Sequence, residues 1–139
     1  MMESLKLVEY AEAIGHELSL EGDNLRIAKG KYLPGYLKQE IINHKADIIE
    51  AMRNDLQAKE IGLMIGITGS HYMWTVSRFS TAYMQLYNGE WVAWRETYQE
   101  GEGKQEPISH KVIARGNTFD YVLQEFQKYM KYISRNWNL

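Results

Sequence analysis

The chain has 139 residues, of which 45% are hydrophobic and 24% charged, with a net charge near −2. That length fits one ordinary domain or two very small ones, and the composition is globular rather than disordered. The charge balance excludes a global pull toward nucleic acid or acidic membranes, and the lack of cysteine excludes disulfides, thiolate metal sites and cysteine nucleophiles.

The first stretch, MMESLKLVEYAEAIG, mixes glutamates among its apolar residues. It lacks the basic start and apolar middle of a secretory signal. The longest apolar run, around Gly62 to Ile67, is too short to span a bilayer. The expectation is a soluble cytoplasmic protein with no membrane partner. Leu5, Val8 and Ile14, with Leu7 and Ala11 alongside, recur at helical spacing. Ser4 is placed to cap this helix and Gly15 to stop it, which predicts helix from about 4 to 14.

A short hairpin follows. Leu18 and Leu20 alternate with Ser19 and Glu21, and Leu25 and Ile27 alternate with Arg26 and Ala28. Period two with one apolar face is strand patterning. Gly22-Asp23-Asn24 between the runs is turn chemistry. Gly30 is read as the end of the second strand, and Pro34 fits the first turn of a helix. From Tyr36 to about Ala58, Leu37, Ile41, Ile48 and Met52 share a helical face, widened by Ile42 and Ile49. Asn43-His44 is a weak point at which this helix could break in two. A two-stranded hairpin alone is marginal, so it needs helices packed against it.

ELSLEGDNLRI followed by KGKYLPGYLKQEIINHKADIIEAMRN resembles the TubC N-terminal docking domain family, over roughly residues 3–54. The resemblance implies a small αββαα module whose hairpin accepts a short acidic tail of a partner protein, and which often self-associates. On this chain the basic residues for that role are Arg26, Lys29 and Lys31. No synthetase domain of the kind such modules precede follows here, and residues 1–58 are net acidic, with seven Lys/Arg against ten Asp/Glu.

Beyond Lys59, GLMIGITG is either a buried strand or a tight connection, and it lacks the Lys-Ser or Lys-Thr of a phosphate loop. YMWTVSRF reads as a strand. TAYMQLYNGEWVAWRETY is a hairpin around Asn88-Gly89, which sets Tyr83 opposite Trp94, Met84 opposite Ala93, Leu86 opposite Trp91 and Tyr87 opposite Glu90. Ala82, Met84, Leu86, Trp91 and Ala93 then make an apolar side. Tyr83, Gln85, Tyr87, Val92, Trp94 and Tyr98 make an aromatic, partly polar side. An acidic loop with Glu100, Glu102 and Glu106 precedes a further strand, SHKVIAR. Asn117 or Thr118 can cap a last helix with the stripe Phe119, Val122, Phe126, Met130, Ile133 and Trp137.

The expected fold is α+β: an αββαα module over 1–58, then an antiparallel meander of about four strands with a C-terminal helix over 59–139. Tyr83, Tyr87, Trp94 and Tyr98 are read as ordinary strand residues or a homodimer contact, as a protein-binding surface, or as a base-stacking platform for single-stranded nucleic acid. Arg78, Arg95, Lys111 and Arg115 would assist the last. Residues 59–139 carry nine Lys/Arg against eight Asp/Glu, too balanced for an electrostatic funnel. His16, His44, His71 and His110 have no ligand spacing and read as surface or loop residues, so no metal or other cofactor is expected. Ser70, His71 and Glu90 lack the orienting partners of a hydrolytic set. The expected function is therefore non-catalytic: a docking adaptor, self-associating, that recognises a partner segment through its hairpin. The alternative is a small phage or mobile-element regulator that inhibits a larger enzyme or nucleic-acid machine through the aromatic sheet side.

Overall fold

A computed structural model describes residues 2–99 and 107–137. Glu100, Glu102 and Glu106 lie outside the described residues. The chain divides into two compact units, Met1–Asp55 and Leu56–Leu139. The architecture is α+β, as the patterning predicts.

The first unit begins with α1 (Met2–Ala13) and continues into β1 (Leu18–Glu21) and β2 (Asn24–Ile27). A short 3-10 turn (Gly30–Tyr32) leads to α2 (Gly35–Asn43) and α3 (Lys45–Glu60), inside which the division between the units falls. β1 and β2 pair antiparallel with Leu18 opposite Ile27 and Leu20 opposite Leu25, so the apolar positions share one face. Val8, Ala11, Leu18, Leu33, Leu37, Ile41 and Ile48 form the buried cluster of this unit. The hairpin is held by burial of its apolar side rather than by its few ladder hydrogen bonds, as its length requires.

Four sequence expectations are corrected in this unit. Ser4 does not cap α1, which starts at Met2; its side chain is fully buried and lies 3.4 Å from His44 Nδ1. His16 is buried, not a surface residue, and its Nδ1 lies 3.0 Å from the carbonyl oxygen of Ala28, which closes the hairpin base. β2 ends at Ile27 rather than at Gly30: Lys29 turns left-handed at φ 54 and Gly30 opens the 3-10 turn. Ile42 points to solvent at 52% exposure, because the helix breaks at His44 and its apolar stripe is restarted by α3.

The second unit holds β3 (Met64–Ile67), β4 (His71–Ser77), β5 (Ser80–Tyr87), β6 (Glu90–Thr97), β7 (Ser109–Gly116) and α4 (Phe119–Trp137). The five strands form one antiparallel meander in chain order. GLMIGITG therefore supplies a fifth strand, beyond the roughly four anticipated. The β5–β6 register is the one set by the Asn88-Gly89 turn, with Tyr83 opposite Trp94 and Leu86 opposite Trp91. Asn88 at φ 50 and Gly89 at φ 78 give the doubly left-handed turn that matches strand twist.

α4 starts at a Thr118 cap, whose Oγ1 accepts from the Tyr121 N–H at 3.2 Å. Its stripe of Phe119, Val122, Leu123, Phe126 and Ile133 is buried, and the first four join Tyr72, Ala82, Met84, Trp91 and Ala93 in one core. Each large apolar side chain so buried contributes about 1.5–3 kcal/mol relative to exposure. The helix packs against β5, β6 and β7, and its Phe119 also meets Tyr72 of β4.

Candidate functional site

Arg26, Lys29 and Lys31, the three basic residues anticipated for docking, sit on three consecutive pieces of backbone. Arg26 is in β2, on the side opposite Leu25 and Ile27. Its guanidinium lies 3.7 Å from Glu21, with both side chains 72% exposed, and a pair so solvated contributes little. Lys29 occupies the left-handed position after the strand. Lys31, in the 3-10 turn, places its Nζ 5.5 Å from the Tyr32 ring centre. Arg53 reaches from α3 to bond Asp23 in the hairpin turn. The turn is thus tied to the helices, while the cationic stretch beyond β2 is left outward.

In the second unit the sheet side away from α4 carries a row of rings. His71 of β4 meets Tyr83 of β5 edge-on at 5.8 Å between centres. Tyr83 and Trp94 of β6 lie nearly parallel at 5.3 Å. Trp94 and His110 of β7 follow at 6.3 Å with 26° between planes. Strand spacing near 4.8 Å makes such rows where same-side positions are aromatic on neighbouring strands.

His110 reaches the row because of a β-bulge. Ala93 pairs with Ala114 and Trp94 with Val112, so Ile113 is the extra residue. Ala114 packs against the core, yet Val112, two residues before it, is 47% exposed opposite Trp94. A strand of unbroken alternation would put 110, 112 and 114 on one side; the bulge turns the first two outward.

Glu96 is the charged centre of this surface. The Trp94 indole N–H donates to Oε1 at 3.0 Å, and the Tyr98 hydroxyl donates to Oε2 at 2.7 Å. That bond to the carboxylate pushes the Tyr98 pKa up to about 12. Tyr83 is also raised, by burial first and by the Glu96 charge second. Burial lowers the His71 pKa, and its Nε2 is enclosed without a hydrogen-bond partner among the described residues. Gly66 of the β3 bulge lies so close that a Cβ there would meet the His71 ring at 3.3 Å.

Of the four aromatics anticipated, the structure brings Tyr83 and Trp94 into contact and joins Tyr98 to Trp94 through Glu96. Tyr87 stands apart at the Asn88-Gly89 end of β5, 65% exposed. The cations named for base stacking are mostly elsewhere. Arg95 bonds Ser80 Oγ and the Tyr129 hydroxyl of α4, on the opposite side of the sheet. Lys111 lies over the Tyr129 ring at 5.9 Å, and Arg78 over Phe79 at 5.2 Å. Only Arg115 remains, and Glu90 takes it at 2.8 Å.

Among the described residues no group of three His, Asp or Glu side chains converges to hold a metal, and no helix is long and apolar enough to cross a membrane. Comparison with protein-family models, curated proteins and solved structures finds no match to this chain.

Proposed function

We propose that the protein is a non-catalytic adaptor that docks a segment of another protein onto its β1–β2 hairpin by strand addition. One observation carries this reading: the hairpin is a sheet of two four-residue strands that no third strand joins among the described residues. A strand edge of that kind offers ladder positions to an extended peptide, while alternate side chains supply selectivity. Arg26 on β2, with Lys29 and Lys31 directly after it, favours an acidic segment. The α-β-β-α-α order of the first unit, interrupted only by the 3-10 turn, is also that of the TubC-type docking module its sequence resembles.

The test uses full-length, nitrogen-15-labelled protein titrated with a capped peptide of alternating Glu and Val. Saturable shifts of the Asn24–Ala28 amides are expected. Combined Arg26→Glu and Lys29→Glu substitution should abolish them without lowering stability, since both positions are exposed. Unchanged affinity in that double variant would sink the proposal.

A further inference from the structure

We propose that the side of the five-stranded sheet away from α4 is a second docking surface, which seats an arginine from a basic segment of a partner protein on the Glu96 carboxylate between Trp94 and Tyr98. This goes beyond the hairpin reading and does not depend on it.

Among the described residues the carboxylate is held in place without a counter-charge. Its two donors, the Trp94 indole and the Tyr98 hydroxyl, are neutral, so they fix its position but leave its charge. Each oxygen accepts one of these bonds and keeps a further lone pair. Two oriented oxygens with free lone pairs match the planar fork of a guanidinium, which also lies well against ring surfaces. Among the described residues no Lys or Arg forms an ion pair with Glu96, while Glu90 already engages Arg115 on the same side.

The neighbours leave that charge standing. Burial disfavours a charge on His71. His110 stands opposite Glu96 across the strands, but its ring stacks on Trp94 rather than forming an ion pair with the carboxylate. Around the carboxylate lie Tyr83, Trp94 and Tyr98, with Val112 exposed beside them. The polar tips of Trp94 and Tyr98 are already bonded, so covering them strands no donor. Rigid aromatics with satisfied polar atoms are favoured hot-spot material. A nucleic acid would meet the Glu96 charge with phosphate, and Arg95 and Lys111 face the other way. The charge complement of this surface is a cationic protein segment.

The experiment follows the indole N–H resonance of Trp94, assigned with a Trp94→Phe variant, in full-length labelled protein. The probes are capped Gly-Arg-Gly-Arg-Gly, its Lys counterpart and its Glu counterpart. The Arg peptide should shift the Trp94 signal saturably, the Lys peptide should bind several-fold more weakly, and the Glu peptide should leave it unmoved. Glu96→Gln, which keeps an acceptor oxygen for Trp94, should weaken the Arg peptide about tenfold. Glu90→Gln should not. No saturable shift in the millimolar range, equal response to the Glu peptide, equal affinity for Lys and Arg, or equal loss in the two Gln variants would each overturn the proposal. So would a peptide-free dimer that dissociates on Glu96→Gln, which would make a second copy the occupant. Because the hairpin test uses the acidic peptide and reads Asn24–Ala28, either surface can fail alone.

Discussion

Phe119 closes an aromatic triad in the sheet core, and its replacement by leucine measures what ring geometry adds to burial. Its ring meets Tyr72 edge-on at 5.8 Å and Trp91 at 5.1 Å, while the residue is only 7% exposed. Leucine keeps the site apolar but removes both ring contacts. Each aromatic pair adds about 0.5–1.5 kcal/mol beyond area, so the two together are worth about 1–3 kcal/mol. Phe126→Leu is the control: that side chain is fully buried in the same core and makes no ring contact among the described residues. It carries the same change in size without the loss of ring pairs. Urea unfolding followed by tryptophan fluorescence reads this unit selectively, because Trp74, Trp91, Trp94 and Trp137 all lie in Leu56–Leu139. With slopes of about 1–3 kcal/mol per molar urea, the Phe119→Leu midpoint should fall below that of Phe126→Leu by on the order of 1 M. Equal midpoints at equal slopes would refute the account of the triad.

Two further outcomes follow from the turn and from the Glu96 bonds. Tyr98, pushed up to about 12, holds its proton in the folded state above the ordinary tyrosine value of 10.0. Its contribution to stability is therefore fully present below pH 10 and is lost as pH rises from there to about 12. Glu96→Gln should bring the Tyr98 ring titration, followed by carbon-13 resonances, back toward 10.0; an unmoved titration would show that the bond is not its cause. Gly89→Ala should cost about 1 kcal/mol in the same fluorescence assay, because Gly89 sits at φ 78 and an added methyl group would meet only open space, so the penalty is backbone strain alone. A neutral or stabilising result would mean the turn relaxes to another type.

The β5–β6 pairing is legible in the sequence because a two-residue Asn-Gly turn fixes register, and register fixes which residues share a side. Glu96 shares the parity of Trp94 and Tyr98, but a lone carboxylate on a strand is ordinary, so the pattern does not single it out; only the bonds from those two neighbours to its oxygens do. The Ile113 bulge hides His110, since alternation read along SHKVIAR puts 110 and 114 together. β3 is ambiguous because MIGI is uniformly apolar around a glycine, with no alternation to separate strand from connection. His16 and Ser4 escape sequence reasoning for a shared reason. Each is buried against a residue distant in sequence, the Ala28 carbonyl in one case and His44 in the other, and polar residues satisfied by such distant contacts carry no local pattern. Arg95 and Lys111 show the limit for charge: their number is readable from composition, but the side of the sheet they serve is set by Tyr129 on α4.

The strictly sequential strand order has a consequence for biosynthesis. Every strand from β4 to β7 pairs with the one made just before it, so the sheet can zip up in chain order, with short loops to close up to β6 and a longer one before β7. Its apolar side is different. α4 follows the last strand, and until it docks, Tyr72, Met84, Trp91 and Ala93 lack the Phe119, Val122, Leu123 and Phe126 side chains that complete their core. Ala58, Ile61 and Leu63, made before the sheet, cover only part of that side, so α4 is the element that closes the core, and a sheet formed ahead of its docking would be open to aggregation.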